Sequence, residues 1–155
     1  MRLSKNFVLS EIIRSNTAKR RGISNEPEKE HLDNLQTIIT KLIQPMRDAI
    51  GPIRISSGYR SPKLNRAIGG SSRSQHCKGQ ALDVQFWDSG QMNNKAIYNW
   101  ILQSGLEFDQ MINEFDFSWI HISFNANKNR KHVLEAYKND GKTAYKHVSD
   151  NIKVL

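Results

Sequence analysis

Ser74-Gln75-His76-Cys77-Lys78-Gly79-Gln80-Ala81-Leu82-Asp83 is the stretch on which the reading of this chain turns. Its second half runs into a strand, Ala81 to Phe86, whose alternation puts Leu82, Val84 and Phe86 toward a core and Asp83 toward a polar cleft. Its first half offers an imidazole at His76. Residues an odd number apart on an unbroken strand face opposite ways, so His76 and Asp83 converge only if the chain bends between them. Gly79 is the place for that bend. A third donor lies in Trp119-Ile120-His121-Ile122-Ser123. Two imidazoles and one carboxylate suit a borderline-soft cation such as zinc, which takes three protein ligands in catalytic sites and keeps a position open for water. The expectation is one Zn2+ on His76, Asp83 and His121, in a hydrolase of peptide bonds.

Moving outward, Phe108 to Glu114 and Trp119 to Phe124 read as a hairpin closed by a loop over Phe115 to Ser118. That register pairs Glu114 with Trp119 and Ile112 with His121, which sets Glu114 diagonally beside His121 on one face. Ile120, Ile122 and Phe124 take the opposite, core face. A water made nucleophilic by a metal needs a base to take its proton and hand it to the leaving amine. Glu114 is the candidate, with Asp116 in the hairpin loop as the weaker alternative. Arg60 offers a planar fork for a substrate carboxylate or a developing oxyanion. Ser74 is placed to hydrogen-bond substrate near the metal, and Trp119 to wall the pocket.

The remaining elements read as scaffold. Leu9 to Ser15 suggests a short helix followed by a basic loop through Gly22. Asn25-Glu26-Pro27-Glu28 has the form of a helix start, with Asn25 as cap and Glu28 closing a capping box. Apolar residues from Leu32 to Met46 then recur along one helical face, with Pro45 as a kink and Gly51 as the stop. Ile53 to Ser57 reads as a strand, Ser61-Pro62 as the start of a short helix ended by Gly69, and Met92 to Gly105 as a further helix. Beyond Asn125, a helix is expected over Lys131 to Tyr137.

Composition bounds the rest. The 155 residues, 37% hydrophobic and 25% charged, suit one domain spanning 1–155 with a single core. No apolar run is long enough to cross a bilayer, and the N-terminus lacks the form of an export signal. A lone cysteine, Cys77, rules out an intramolecular disulfide, and as the neighbour of His76 it is read as a small buried hydrophobe rather than a ligand. The net charge of +8 favours polyanions such as nucleic acid or an anionic cell wall. The basic residues are dispersed, apart from Lys19-Arg20-Arg21 and Lys128 to Lys131, and no nucleic-acid-binding signature accompanies them, so no specific nucleic-acid partner is expected. His31, His132 and His147 are read as surface or hydrogen-bonded residues.

Taken together, Ser57-Gly-Tyr-Arg-Ser-Pro62, Asn65, Gly69-Gly70, Ser74 to Asp83 and Trp119-Ile-His-Ile-Ser123 resemble the zinc D-Ala-D-Ala carboxypeptidase family, whose S-x-H-x-x-G-x-A-x-D and W-x-H motifs occur in full and in order. The likeness extends from Phe7-Val8-Leu9-Ser10-Glu11 through Gln44-Pro45-Met46-Arg47 to Asn129-Arg130. It implies an α+β fold, a small and mainly antiparallel sheet with helices packed on it and zinc in the cleft, related to lysostaphin-type peptidases and the hedgehog signalling domain. It also implies zinc on His76, Asp83 and His121, with Arg60 and Ser74 at the substrate. Many relatives carry the catalytic glutamate three residues before the last histidine, where this chain has Ser118. The implied substrate is the D-amino-acid-containing stem peptide of peptidoglycan, cut at a terminal D-Ala or inside a cross-link. A monomeric phage-type endolysin reaching the wall after lysis, or by another export route, is the expected context. The alternative is an inactive zinc domain of the same group that binds wall or protein.

Overall fold

The structure, a computed structural model, describes residues 1–148, so the end of the expected 1–155 domain lies outside the described residues. The fold is α+β. The strands are β1 (Ile53–Ser57), β2 (Ala81–Asp88), β3 (Gln91–Met92), β4 (Gln110–Glu114), β5 (Trp119–Ser123), β6 (His132–Asn139) and β7 (Lys142–His147). They form one sheet in the order β1-β2-β5-β4-β6-β7, with β3 paired to β2 alone. Every pairing is antiparallel except β4 with β6, which is parallel.

The helices are α1 (Leu9–Ile13), α2 (Asn16–Arg21), α3 (Lys29–Ile38), α4 (Gln44–Ile50), α5 (Pro62–Ala67) and α6 (Asn94–Ser104). One face of the sheet is apolar because the strands alternate. Leu82, Val84, Ile120, Ile122 and Met111 are fully buried there against Leu35, Ile38, Leu42 and Met46 of the long helical segment and Ile97 and Ile101 of α6. Each such side chain contributes about 1.5–3 kcal/mol by leaving water. The opposite face carries Asp83, Glu114 and His121, so the sheet divides structural from polar residues strand by strand.

Several expectations change. The basic loop after α1 is helix α2, capped by Ser15, whose Oγ accepts from the Ala18 amide, and ended by left-handed Gly22. Asn25 caps nothing, because α3 begins at Lys29 with Glu28 at its start. Its amide instead donates to the carbonyls of Ile13 and Tyr59 at 2.7 and 3.0 Å, and its oxygen accepts from the Ser61 amide at 2.7 Å. The long helix accommodates Pro45 through a π turn at Ile39–Ile43. Met92 belongs to β3, not to α6. The largest correction is Lys131 to Tyr137, expected as helix, which is most of strand β6.

Candidate metal centre and catalytic cleft

Asp83 on β2 lies directly opposite His121 on β5 in the antiparallel register. Residues so paired project from the same face about 4.5–5.5 Å apart, so two of the three donors meet by sheet geometry alone. His76 arrives from a 3-10 turn, Gln75–Lys78, started by Ser74, whose Oγ accepts from the His76 amide at 3.3 Å. The turn ends at Gly79 with φ +70°, the left-handed geometry glycine adopts at little cost. A Cβ there would also stand 2.4 Å from the backbone oxygen of His31. The bend between His76 and Asp83 therefore needs this glycine twice over.

Asp83 Oδ1 sits 3.3 Å from His76 Nε2 and 3.2 Å from His121 Nδ1. One donor atom from each residue falls within 4.8 Å of the others. Two ligands each 2.0–2.1 Å from a tetrahedral zinc ion stand about 3.3 Å apart, so these spacings fit such an ion. The protonation states fit as well. His76 Nδ1 lies 2.8 Å from the Gly58 carbonyl and donates to it, which leaves the Nε2 lone pair facing the cleft. Burial of His76 lowers its proton affinity, against the pull of Asp83. Burial works to raise the Asp83 carboxyl, yet the two imidazoles outweigh it and hold the group far below the ordinary carboxylate range. Neutral imidazoles and an ionised carboxylate are the forms that bind a metal.

Beside this trio, Glu114 and Trp119 are paired, as are Ile112 and His121, in the register read from the sequence. Glu114 is only 8% exposed, and its carboxylate makes no hydrogen bond or ion pair with another described residue. Its carboxyl is pushed up to about 7, chiefly by burial, with His121 opposing and the Asp83 charge adding to the rise. A carboxyl poised near neutrality can both accept and return a proton. The hairpin turn that holds it runs through three consecutive left-handed residues, Phe115, Asp116 and Phe117. Asn113 Oδ1 accepts from the Phe117 amide at 2.6 Å, and the Ser118 hydroxyl donates to the Phe115 carbonyl at 2.7 Å.

Arg60 is fixed from several sides. Its amide donates to the His76 carbonyl at 3.2 Å, and Asn25 grips the residues on either side of it. Its Nη1 reaches Asn65 Oδ1 at 3.4 Å, and Gly70 packs so closely that a Cβ would stand 2.0 Å from that oxygen. The guanidinium Nε is buried with no partner among the described residues. A cavity of about 690 Å³ joins Arg60, Ser74, the metal trio, Glu114 and Trp119.

Of the residues singled out from sequence, seven thus share one cleft. Asp116 does not: it is exposed in the turn and lines no part of the cavity, so the alternative base is set aside. Ser118 is occupied in the turn, where its carbonyl also accepts from Gln85 and Asn94. Cys77 stands outside the donor group. Arg130 is more than a solvated charge, for its guanidinium makes a two-point pair with buried Asp109, both contacts at 2.9 Å. Asp109 also accepts from Gln75 at 2.9 Å, tying the turn that carries His76 to the start of β4. Sequence reasoning missed the orienting carbonyl of Gly58, the clamp of Asn25, and the contribution of β6 and β7, from which Leu134, Thr143 and Tyr145 line the cleft. Asp140-Gly141, both at positive φ, was the available signal for that last hairpin.

A histidine pair and an aspartate on the polar face of an α+β sheet, beside a carboxyl raised toward neutrality, have the form of a metallohydrolase centre. Residues 5–123 match the family model described as Peptidase M15, and the chain belongs to this family of zinc D-Ala-D-Ala carboxypeptidase-type peptidases. No match was found among curated proteins. Within the family the donor trio is placed for a metal, and the kind of function is that of a peptidoglycan metallopeptidase. The matched span closes with β5, so β6 and β7 lie beyond it. Among the described residues, no helix is long and apolar enough to cross a membrane.

Proposed function

We propose that this chain is a zinc-dependent carboxypeptidase that releases a C-terminal D-amino acid from peptidoglycan stem peptides. The observation carrying this reading is the convergence of His76 Nε2, Asp83 Oδ1 and His121 Nδ1 at separations suited to one ion, next to a buried Glu114 whose carboxylate has no partner among the described residues. When bound, zinc supplies Lewis acidity to the scissile carbonyl and to the attacking water. His76, Asp83 and His121 hold it, with the Gly58 carbonyl fixing the His76 tautomer. Glu114 takes the proton of the attacking water and delivers it to the leaving amine. Arg60 binds the substrate's terminal carboxylate, which satisfies its orphaned Nε and favours release of a terminal residue over a cut inside a cross-link. Ser74 accepts from the His76 amide, so its own proton is free to meet a substrate carbonyl. Trp119 walls the cleft.

Every one of these groups comes from a single chain, so a monomer is sufficient. We place the action on the cell wall, reached after lysis or by another export route, with the basic surface favouring an anionic wall in a salt-sensitive way. The test is mass spectrometry of defined muropeptides after digestion, with zinc and with chelator. Loss of one D-Ala in the zinc arm alone is the expected result. Separation of cross-linked dimers would move the assignment to an endopeptidase. No cleavage by a zinc-loaded protein would turn it to a binding domain of the same group.

A further inference from the structure

The part of the cleft that lies beyond the family match has its own chemistry. Across the polar face, Trp119 pairs with Glu114, Glu114 with Ala136, and Ala136 with Tyr145. Below that row, His121 pairs with Ile112 and Ile112 with Leu134. Ile112, Leu134 and Ala136 form an apolar cluster of their own, separate from the main core, with Phe115 packed against it. This cluster paves the floor between the metal trio and β7. Tyr145 stands at its far side, 54% exposed, lining the cleft with no ring contact or hydrogen bond to another described residue. Ala136, only 1% exposed, lies between Tyr145 and Glu114 in this row.

Direction follows from the sheet order. Arg60 comes just after β1 at one edge, and Tyr145 is on β7 at the other. A peptide whose carboxylate is held at Arg60 and whose scissile bond lies over the trio must run its upstream residues across the apolar floor toward β7. Three strand spacings separate β5 from β7, about 14 Å, and the tyrosine side chain shortens the gap. That distance corresponds to roughly two to four residues of extended peptide. Building on the proposed function, we infer that the β6–β7 hairpin forms a subsite for the upstream stem of the peptide, with the ring of Tyr145 packing on a residue roughly two to four positions before the cut. This subsite makes the enzyme read stem length, and Tyr145 is a specificity-determining residue rather than a catalytic one.

Steady-state kinetics on N-acetylated peptides ending in D-Ala-D-Ala, one a dipeptide and one a full five-residue stem, separate the possibilities. In the zinc-loaded wild type, kcat/KM is expected to be higher for the stem. Tyr145→Ala should lower the stem-to-dipeptide ratio of kcat/KM by about three- to tenfold, the range an aromatic packing contact carries, and through KM rather than kcat. Tyr145→Phe keeps the ring and should keep the ratio. An unchanged ratio in Tyr145→Ala, or an equal loss in Tyr145→Phe, would overturn the subsite while leaving the peptidase reading intact. A wild type that cleaves neither peptide would instead remove the reading on which the subsite rests.

Discussion

Replacing Glu114 by Gln tests whether a carboxyl is held against its ionisation beside the metal site. The metal-free protein gives the cleanest measurement. Glu114 titrates at about 7 in the fold against an ordinary 4.5, so between those values the native state holds a proton that the unfolded chain has released. Stability must then fall as pH rises through that window, in full force below it and lost above. The shift corresponds to about 3 kcal/mol at 1.36 kcal/mol per pKa unit, and solvent screening in the open cleft reduces it to about 1–2 kcal/mol. Gln has no proton to lose. Urea unfolding in chelator should therefore show Glu114→Gln and wild type nearly equal at pH 4, with the variant more stable by about 1–2 kcal/mol at pH 8. Other titrating groups are common to both proteins and cancel in the difference. With zinc restored, the variant should bind one ion per chain yet lose about 10²–10⁴-fold in turnover. A variant no more stable than wild type at pH 8, relative to pH 4, would refute the claim that burial governs this carboxyl.

Other perturbations probe the supporting structure. Asp83→Asn removes the one ionised donor, and zinc affinity measured by competition with a chromophoric chelator should fall by more than about 100-fold. Gly79→Ala meets both a left-handed backbone and the His31 carbonyl, so thermal unfolding should show a loss above about 2 kcal/mol. Arg130→Ala bears on Asp109, whose carboxyl the Arg130 guanidinium holds down to about 2, from an ordinary 3.8. A depressed carboxylate stabilises above its unfolded value and loses that contribution as pH falls toward 2. The variant should thus flatten acid unfolding between pH 4 and 2 and cost about 1–2 kcal/mol at pH 6, a figure reduced because Arg130 is half exposed.

How far the sequence speaks depends on whether a feature is local. The β4–β5 register followed from alternation and loop length, and it carried Glu114 to the side of His121 without tertiary information. Gly79 announced a bend because strand geometry demanded one. The segment Lys131 to Tyr137 misled for a physical reason. Val133 faces the main core while Leu134 and Ala136 face the second cluster, so a strand buried on both sides shows no alternation, and its Leu, Glu and Ala are good helix formers. Its parallel partner β4 lies far back in the chain, joined by no tight turn that a reader can see. Asn25 misled differently. It has a capping residue's chemistry, but its amide is used to join three distant backbones around Arg60, and only tertiary structure can supply those partners.

The polar face also shows why these residues are read as working parts rather than as scaffold. Folding strongly favours partners for buried polar atoms, because a stranded one costs about 1–3 kcal/mol. Asp109 and Asn94 obey that rule, Asp109 taking contacts from Arg130 and Gln75 and Asn94 joining Phe86, Phe117 and Ser118, whereas His31 Nδ1 is buried without a partner among the described residues. In the cleft it is broken at the Nε of Arg60, and the largely buried carboxyl of Glu114 has no hydrogen bond or ion pair with another described residue. These groups carry opposite charge tendencies and lie around one cavity, yet each is held apart by its own backbone clamp, Asn25 and His76 for one and the left-handed turn for the other. A fold seeking stability alone would let them pair or replace them with apolar residues. On the proposed function, the gap between them is where a carboxylate-ended peptide would meet Arg60 and a water would meet Glu114. The stability withheld by keeping these groups apart is what substrate binding would restore on that reading.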